Sequence, residues 1–195
     1  MEKIAVFIDY SNVHLVGHGL FASGSDRWTT HVSPRRVAER IVTLRNGPTE
    51  LSAVFVHRGS PDMIKDPDAT RLFRAEQAKW NKDRIVHATY QPMVYGPHAH
   101  KEAGVDVRLG LDFVHAARSH EYDTIVLFSG DCDLFPAVQD AVRTTTRVEL
   151  CAWSTGNRTP QNRLAPIASK SYRLWTHRLG EDDFWESQDD LSSAA

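Results

Sequence analysis

Four aspartates stand where apolar runs end or where a helix begins, and their placement suggests chemistry before any fold is drawn. Asp9 closes the run Ile4-Ala5-Val6-Phe7-Ile8, and Asp131 and Asp133 lie in Ser129-Gly130-Asp131-Cys132-Asp133, just after the apolar run Thr124 to Ser129. Asp106 opens the periodic stretch Val105 to Ser119. Brought to one place, these carboxylates repel. A like-charge pair ~4 Å apart costs about 4 kcal/mol at an effective dielectric near 20, and a domain's net stability is only ~5–15 kcal/mol. Either some of them are protonated or a divalent cation resides among them. All-oxygen ligands favour Mg²⁺ or Mn²⁺ over zinc, and magnesium held by carboxylates together with substrate phosphates suits hydrolysis of a phosphodiester.

Each acid also has a plainer reading. Asp106 could be an ordinary helix-start acid favoured by the dipole, and Asp133 could cap a helix beginning at Leu134. Asp9, after five apolar residues, is harder to explain by structure alone. Asn12 could bond a phosphate oxygen, hold Asp9 in place, or be a simple turn residue. Ser129 lies beside the cluster and could contact a metal-bound water; as a nucleophile it lacks a base and an orienting group. Asp112 shares a helical face with Val105 and Leu109, which points it inward to a buried hydrogen-bonding role. His98 and His100 lack the two further ligands zinc needs. A phosphate-cradling Gx4GK[ST] loop does not occur, which lowers the case for an NTPase.

These residues need elements to position them. A short continuous apolar run ending in a polar turn is a strand buried on both faces, and ligands of open α/β sheets lie beyond the carboxyl ends of such strands. His14 to His31, rich in Gly, Ser and Thr, reads as a long loop. Ser33-Pro34 starts a helix over residues 34–45, with Ser33 as N-cap. Leu51 to His57 is the second strand, residues 68–82 the second helix, Ile85 to Tyr90 the third strand, and Gln91 to Gly104 a loop. Val105 to Ser119 is the third helix, Thr124 to Ser129 the fourth strand, Leu134 to Val142 the fourth helix and Arg147 to Trp153 the fifth strand. About five alternations of strand and helix argue for an α/β fold, a three-layer sandwich around a mostly parallel sheet of five to six strands with right-handed crossovers. If the first and fourth strands are neighbours, Asp9, Asp131 and Asp133 come together and the preceding helix can deliver Asp106. Residues 1–178 read as one domain, with a helix near Leu164 to Ala168 and a short strand at Tyr172 to Trp175. Residues 179–195 read as an acidic, frayed tail.

Bulk properties narrow the classes. With 195 residues, 41% hydrophobic and 25% charged, the chain is an ordinary globular domain, long enough to bury a core without disulfide or metal staples. Its net charge of −2 excludes a wholly basic nucleic-acid binder. Arg35, Arg36, Arg40 and Arg45 nevertheless cluster, and Arg35, Arg36 and Arg58 are candidates to meet a phosphate backbone. The two cysteines, Cys132 and Cys151, fit a reducing compartment. No signal peptide and no run approaching the ~20 residues of a membrane span is seen, so a cytoplasmic protein with no membrane partner is expected.

The stretches Phe7-Ile8-Asp9-Tyr10-Ser11-Asn12, Lys101-Glu102-Ala103-Gly104-Val105-Asp106-Val107 with Leu109 to Asp112, and Ser129-Gly130-Asp131-Cys132-Asp133-Leu134 resemble the NYN-domain family, in its LabA-like branch of the PIN-like nucleases. The resemblance spans roughly residues 3–153. It implies a PIN-like sheet and a Mg²⁺- or Mn²⁺-dependent ribonuclease with Asp9, Asp106, Asp131 and Asp133 as metal-holding, catalytic acids and Asn12 beside them. Tyr10 stands where the family often has glycine, and a ring there is expected to narrow the cleft or stack on a base. The leading expectation is therefore a metal-dependent endoribonuclease, with RNA as the substrate-partner and Asn12, Ser129, Arg35, Arg36 and Arg58 as substrate-binding candidates. A non-catalytic RNA-binding or regulatory module is the alternative. A small-molecule phosphohydrolase fits less well, since the haloacid-dehalogenase pattern wants Asp-x-Asp after the first strand and Asp9 is followed by Tyr10 and Ser11. A homodimer or a regulatory protein partner is allowed without being required.

Overall fold

The structure is a computed structural model of the chain and describes residues 1–96, 100–156 and 162–191. Its centre is β1 (Glu2–Asp9), whose alternate side chains feed two separate cores. Ile4, Val6 and Ile8 enter one, and Ala5 and Phe7 the other, all at most 1% exposed. That is the signature of a strand covered on both faces. Parallel neighbours flank it: β2 (Thr49–Ser60) on one side and β5 (Thr124–Phe128) on the other. Beyond β2 lies β3 (Val86–Tyr95), and beyond β5 lie β6 (Arg147–Trp153) and β7 (Thr176–Leu179). With β4 (His100–Glu102), the only antiparallel member, the order among the described residues is β4-β3-β2-β1-β5-β6-β7. Seven strands replace the expected five to six, because the C-terminal strand and the β3–β4 hairpin both join the sheet.

Helices cover both faces. On one lie α1 (Tyr10–Phe21), α2 (Pro34–Thr43), α3 (Pro67–Trp80) and α7 (Glu181–Glu186), contributing Val13, Val37, Ile41, Trp80 and Phe184 to the core. On the other lie α4 (Val105–Ser119), α5 (Phe135–Ala141) and α6 (Leu164–Tyr172), contributing Leu109, Phe113, Val138, Leu164 and Ala168. Local chemistry sets the helix starts. Ser33 Oγ accepts from Arg36 N at 3.4 Å ahead of Pro34, and Asp66 Oδ1 accepts from Ala69 N at 3.1 Å ahead of Pro67.

Four expectations need correction. Gln91 to Gly104 is not a loop, since β3 runs on to Tyr95 and pairs with β4. The stretch from His14 is not a loop, since α1 runs to Phe21 and only residues 22–31, with a short 3₁₀ turn at Arg27–Thr29, are irregular. Gly17 belongs inside this helix because it packs too tightly for a side chain: a Cβ there would meet Phe184 and the Trp153 indole at 2.9 Å. The last strand is Thr176–Leu179 rather than Tyr172 to Trp175, because α6 continues through Tyr172 and stops at Arg173, which takes a left-handed conformation. Residues 181–191 are not frayed. Asp183 accepts from Gly180 N at 2.8 Å to start α7 and pairs with Arg40 at 2.7 Å, and Phe184 is fully buried. The chain then pairs back at Val32↔Gln188, with Asp189 N donating to His31 O at 2.6 Å.

Candidate active site

The step from β3 across to β5 reverses the direction in which strands are added, and β1 and β5 end side by side at that point. A crevice opens beyond such a switch. Asp9, 4% exposed, ends β1 and caps α1, accepting from Asn12 N at 3.4 Å. Its other oxygen accepts from Ser129 Oγ at 2.8 Å, and that hydroxyl in turn accepts from Asp131 N at 3.1 Å. Asn12 Oδ1 accepts from Gly130 N at 2.9 Å, so its side chain fixes the β5 loop against α1. Asp131 caps a short 3₁₀ turn at Cys132–Leu134 by accepting from Asp133 N at 2.9 Å. Asp133 therefore lies inside that turn, exposed, and does not cap the following helix. Asp106 sits half-buried in the first turn of α4, which begins at Gly104 with φ +79°.

Electrostatics tie these acids together. Burial pushes the Asp9 carboxyl up to about 7, the charges of Asp106 and Glu102 add to that rise, and the bonds from Ser129 and Asn12 oppose it. Asp106 is also raised, first by burial and then by Asp131, Glu102 and Asp133. The charged neighbours acting on both are carboxylates, not cations. Glu102, quoted within a motif but given no role from sequence, is thus a fifth member. Its Oε1 accepts from Ser11 Oγ at 2.6 Å and from Gly59 N at 2.8 Å. The β3–β4 hairpin carries it in, and Gly59 has no Cβ because one would lie 2.5 Å from the Glu102 side chain. Its place just before the Gly104–Asp106 helix start was the only signal in the sequence.

This set has the chemistry to hold a hard divalent ion. Ligand atoms of Asp131, Cys132 and Asp133 lie within 4.8 Å of one another, and Asp9 and Asp106 stand outside that tightest group. Carboxylate oxygens are the ligands Mg²⁺ and Mn²⁺ prefer, and magnesium keeps several waters, so acids at two distances suit it. The thiol is the soft member and adds nothing such an ion prefers.

A family model, the NYN domain, matches residues 3–167. The chain belongs to the NYN domain family. NYN domains are PIN-like nucleases, and the α/β sandwich described above is that fold. A Vibrio parahaemolyticus protein of unknown function has a similar crystal structure, with a TM-score of 0.58 at 17% identity over 94% of this chain and 95% of that one. At that identity the likeness speaks for the fold alone. No curated relative matches the chain.

Several candidates of this NYN domain are occupied elsewhere. Tyr10 neither narrows the cleft nor offers a stacking face. It is 1% exposed, its hydroxyl donates to Glu76 Oε1 at 2.7 Å, and its ring packs edge-on to Trp80 at 4.7 Å. Arg58 is largely buried beside it, paired with Glu76 and lying 4.7 Å over the Tyr10 ring. Burial would push the Glu76 carboxyl up, but Arg58 and the bonds from His31 and Tyr10 together pull it down to about 2. The structure therefore corrects Arg58 from a backbone contact to one half of a buried ion pair. Arg35 bonds Glu39 at 2.7 Å and Arg36 donates to Gln188 O at 2.7 Å, so both brace α2. Asp112 accepts from His57 and Arg108, each at 2.9 Å, joining β2 to α4 away from the acidic group. His98 and Ala99 lie outside the described residues.

Among the described residues no helix is long and apolar enough to cross a membrane.

Proposed function

We propose that this chain is a divalent-metal-dependent endoribonuclease of the LabA-like branch, cytoplasmic, hydrolysing RNA phosphodiester bonds with Mg²⁺ or Mn²⁺. The observation that carries this reading is the acidic group itself: five carboxylates converge at one sheet edge, and burial first, then the charges of Asp106 and Glu102, push Asp9 up to about 7. A structural role does not reward such a cluster, whereas a bound cation removes the repulsion that it costs. Asp9, Asp106, Asp131 and Asp133 would hold the ion. When bound, the ion supplies Lewis acidity at the phosphate and lowers the pKa of a nearby water. Ser129 and the Asn12 backbone N–H hold the two oxygens of Asp9, and the Asn12 side chain fixes the loop bearing Asp131. Glu102, held by Ser11 and Gly59, closes the side of the site toward α3.

The test is a panel of single-stranded RNA, structured RNA and DNA incubated with Mg²⁺, Mn²⁺ or EDTA, with the Asp131→Asn variant alongside. Internal cleavage of RNA that needs the ion, and falls at least 100-fold in the variant, supports the reading. RNA retained without cleavage makes the domain a binding module. Cleavage that persists in EDTA, or at the parental rate in the variant, refutes the mechanism.

A further inference from the structure

A cavity of about 510 Å³ opens directly beside the acidic centre, on the far side of Glu102. Ser11 and Glu102, which bond each other at 2.6 Å, form the wall between the two. Leu15, Pro61 and Met93 give apolar sides, and the buried Tyr10–Arg58 pair lies at its base. At its mouth stand Arg27 and Trp28, the guanidinium 4.5 Å from the indole centroid. Trp28 is 38% exposed, so part of its ring is open to a ligand in the cavity. Among the described residues Arg27 makes no ion pair, so its charge is available to a ligand.

The turn that presents this pair is built rather than loose. Asp26 Oδ1 accepts from Trp28 N at 3.0 Å. His14, on α1, reaches the Arg27 carbonyl at 3.1 Å and Thr30 Oγ1 at 3.2 Å, and His18, one turn on, reaches the same hydroxyl at 3.1 Å. Burial holds His14 down at about 4, so its ring is neutral and Nε2–H donates. Two histidines spaced by four residues thus tether residues 27–30 to the helix.

We infer that this cavity is a nucleobase subsite, in which a base of single-stranded RNA stacks on the Arg27–Trp28 pair while its neighbouring phosphate lies at the carboxylates beyond Glu102. The inference rests on the nuclease reading for the phosphate's position but not for the stacking. Indole and guanidinium faces are the surfaces on which unpaired bases stack, with little sequence preference. A base held in a duplex could not turn into the cavity, so single-stranded substrate is selected.

The test measures binding without cleavage. A fluorescein-labelled oligouridine is titrated in EDTA against Asp131→Asn protein, beside an oligomer of the same backbone with tetrahydrofuran spacers in place of its bases. Carrying Trp28→Ala in addition should weaken binding of the oligouridine about 10-fold, leave the base-free oligomer unchanged, and so abolish the discrimination between them; Trp28→Phe should keep most of it. Unchanged oligouridine affinity in the alanine variant, equal losses for both oligomers, or no RNA binding by the protein bearing Trp28 overturns the inference. Base discrimination lost with Trp28 in a protein that never cleaves RNA supports the subsite and refutes the nuclease reading. Cleavage by the parent with no contribution from Trp28 does the reverse.

Discussion

Replacing Asp9 by asparagine should make the metal-free protein more stable, the opposite of what most substitutions at a 4% exposed position do. Burial first, then Asp106 and Glu102, lift this carboxyl from 3.8 to about 7. Each tenfold change in proton affinity is worth about 1.4 kcal/mol. Charging Asp9 inside the fold therefore costs on the order of 4 kcal/mol well above pH 7. The sign follows from linkage: the folded state holds the proton more tightly than the unfolded chain, so the contribution is full below about pH 4. It drains away as pH rises to about 7 and is level beyond. Asparagine keeps the shape without the charge and gives up about 1 kcal/mol where Ser129 and Asn12 N must share one acceptor. The net gain at pH 8 in EDTA is roughly 3 kcal/mol, or about 6–12 °C in Tm for a chain of this size. Urea unfolding of both proteins in EDTA from pH 5 to 8 measures it. Adding Mn²⁺ should stabilise the parent and do less for the variant. The reasoning fails if the variant is no more stable than the parent at pH 8, or if the gap between them does not widen with pH.

Glu76 should behave in the opposite sense. Its carboxyl is held at about 2 against an ordinary 4.5, so its contribution is present above about pH 4.5 and is lost as pH falls toward 2. Glu76→Gln should cost about 3–5 kcal/mol at pH 7 by leaving Arg58 buried and unpaired, and visibly less at pH 3, as urea midpoints will report. Tyr10→Phe should cost about 1–2 kcal/mol in the same assay through the lost bond to Glu76, while RNA cleavage stays within a few-fold of the parent. Phe184→Ala, which empties a fully buried position under α1 and β6, should cost about 3–5 kcal/mol in thermal unfolding.

The central strands and α4 are legible because the strands are continuous apolar runs and α4 carries a buried stripe of Val105, Leu109, Phe113 and Ala116 at helical spacing. Val105–Ser119 and Arg147–Trp153 have the boundaries read from sequence. The four aspartates could be located for the same reason, since each sits at an element's end and the strand order puts those ends together. What sequence concealed was tertiary. Gly17 and Gly19 suggest a loop, yet Gly17 is required by the approach of Phe184 and Trp153 to a helix. The acids of residues 181–186 look like a solvated run, but they start a helix and pair with Arg40. Tyr10 looks like an intrusion into a ligand site, whereas its hydroxyl serves a glutamate 66 residues away. Glu102 gives no periodic signal, because its position depends on an antiparallel hairpin at the sheet edge.

The return of the chain at Val32↔Gln188 also sets an order of events during synthesis. The turn carrying Arg27 and Trp28 leads into Thr30 and His31, and His31 N donates to Gln188 Oε1 at 2.7 Å while its carbonyl accepts from Asp189 N. Lys79, at the end of α3, closes the same corner on Asp189 at 2.8 Å. The segment around His31 thus receives its brace from one translated more than 150 residues later. Until that segment emerges from the ribosome, the turn is held to the nascent domain by His14 and His18 on α1 without its second brace.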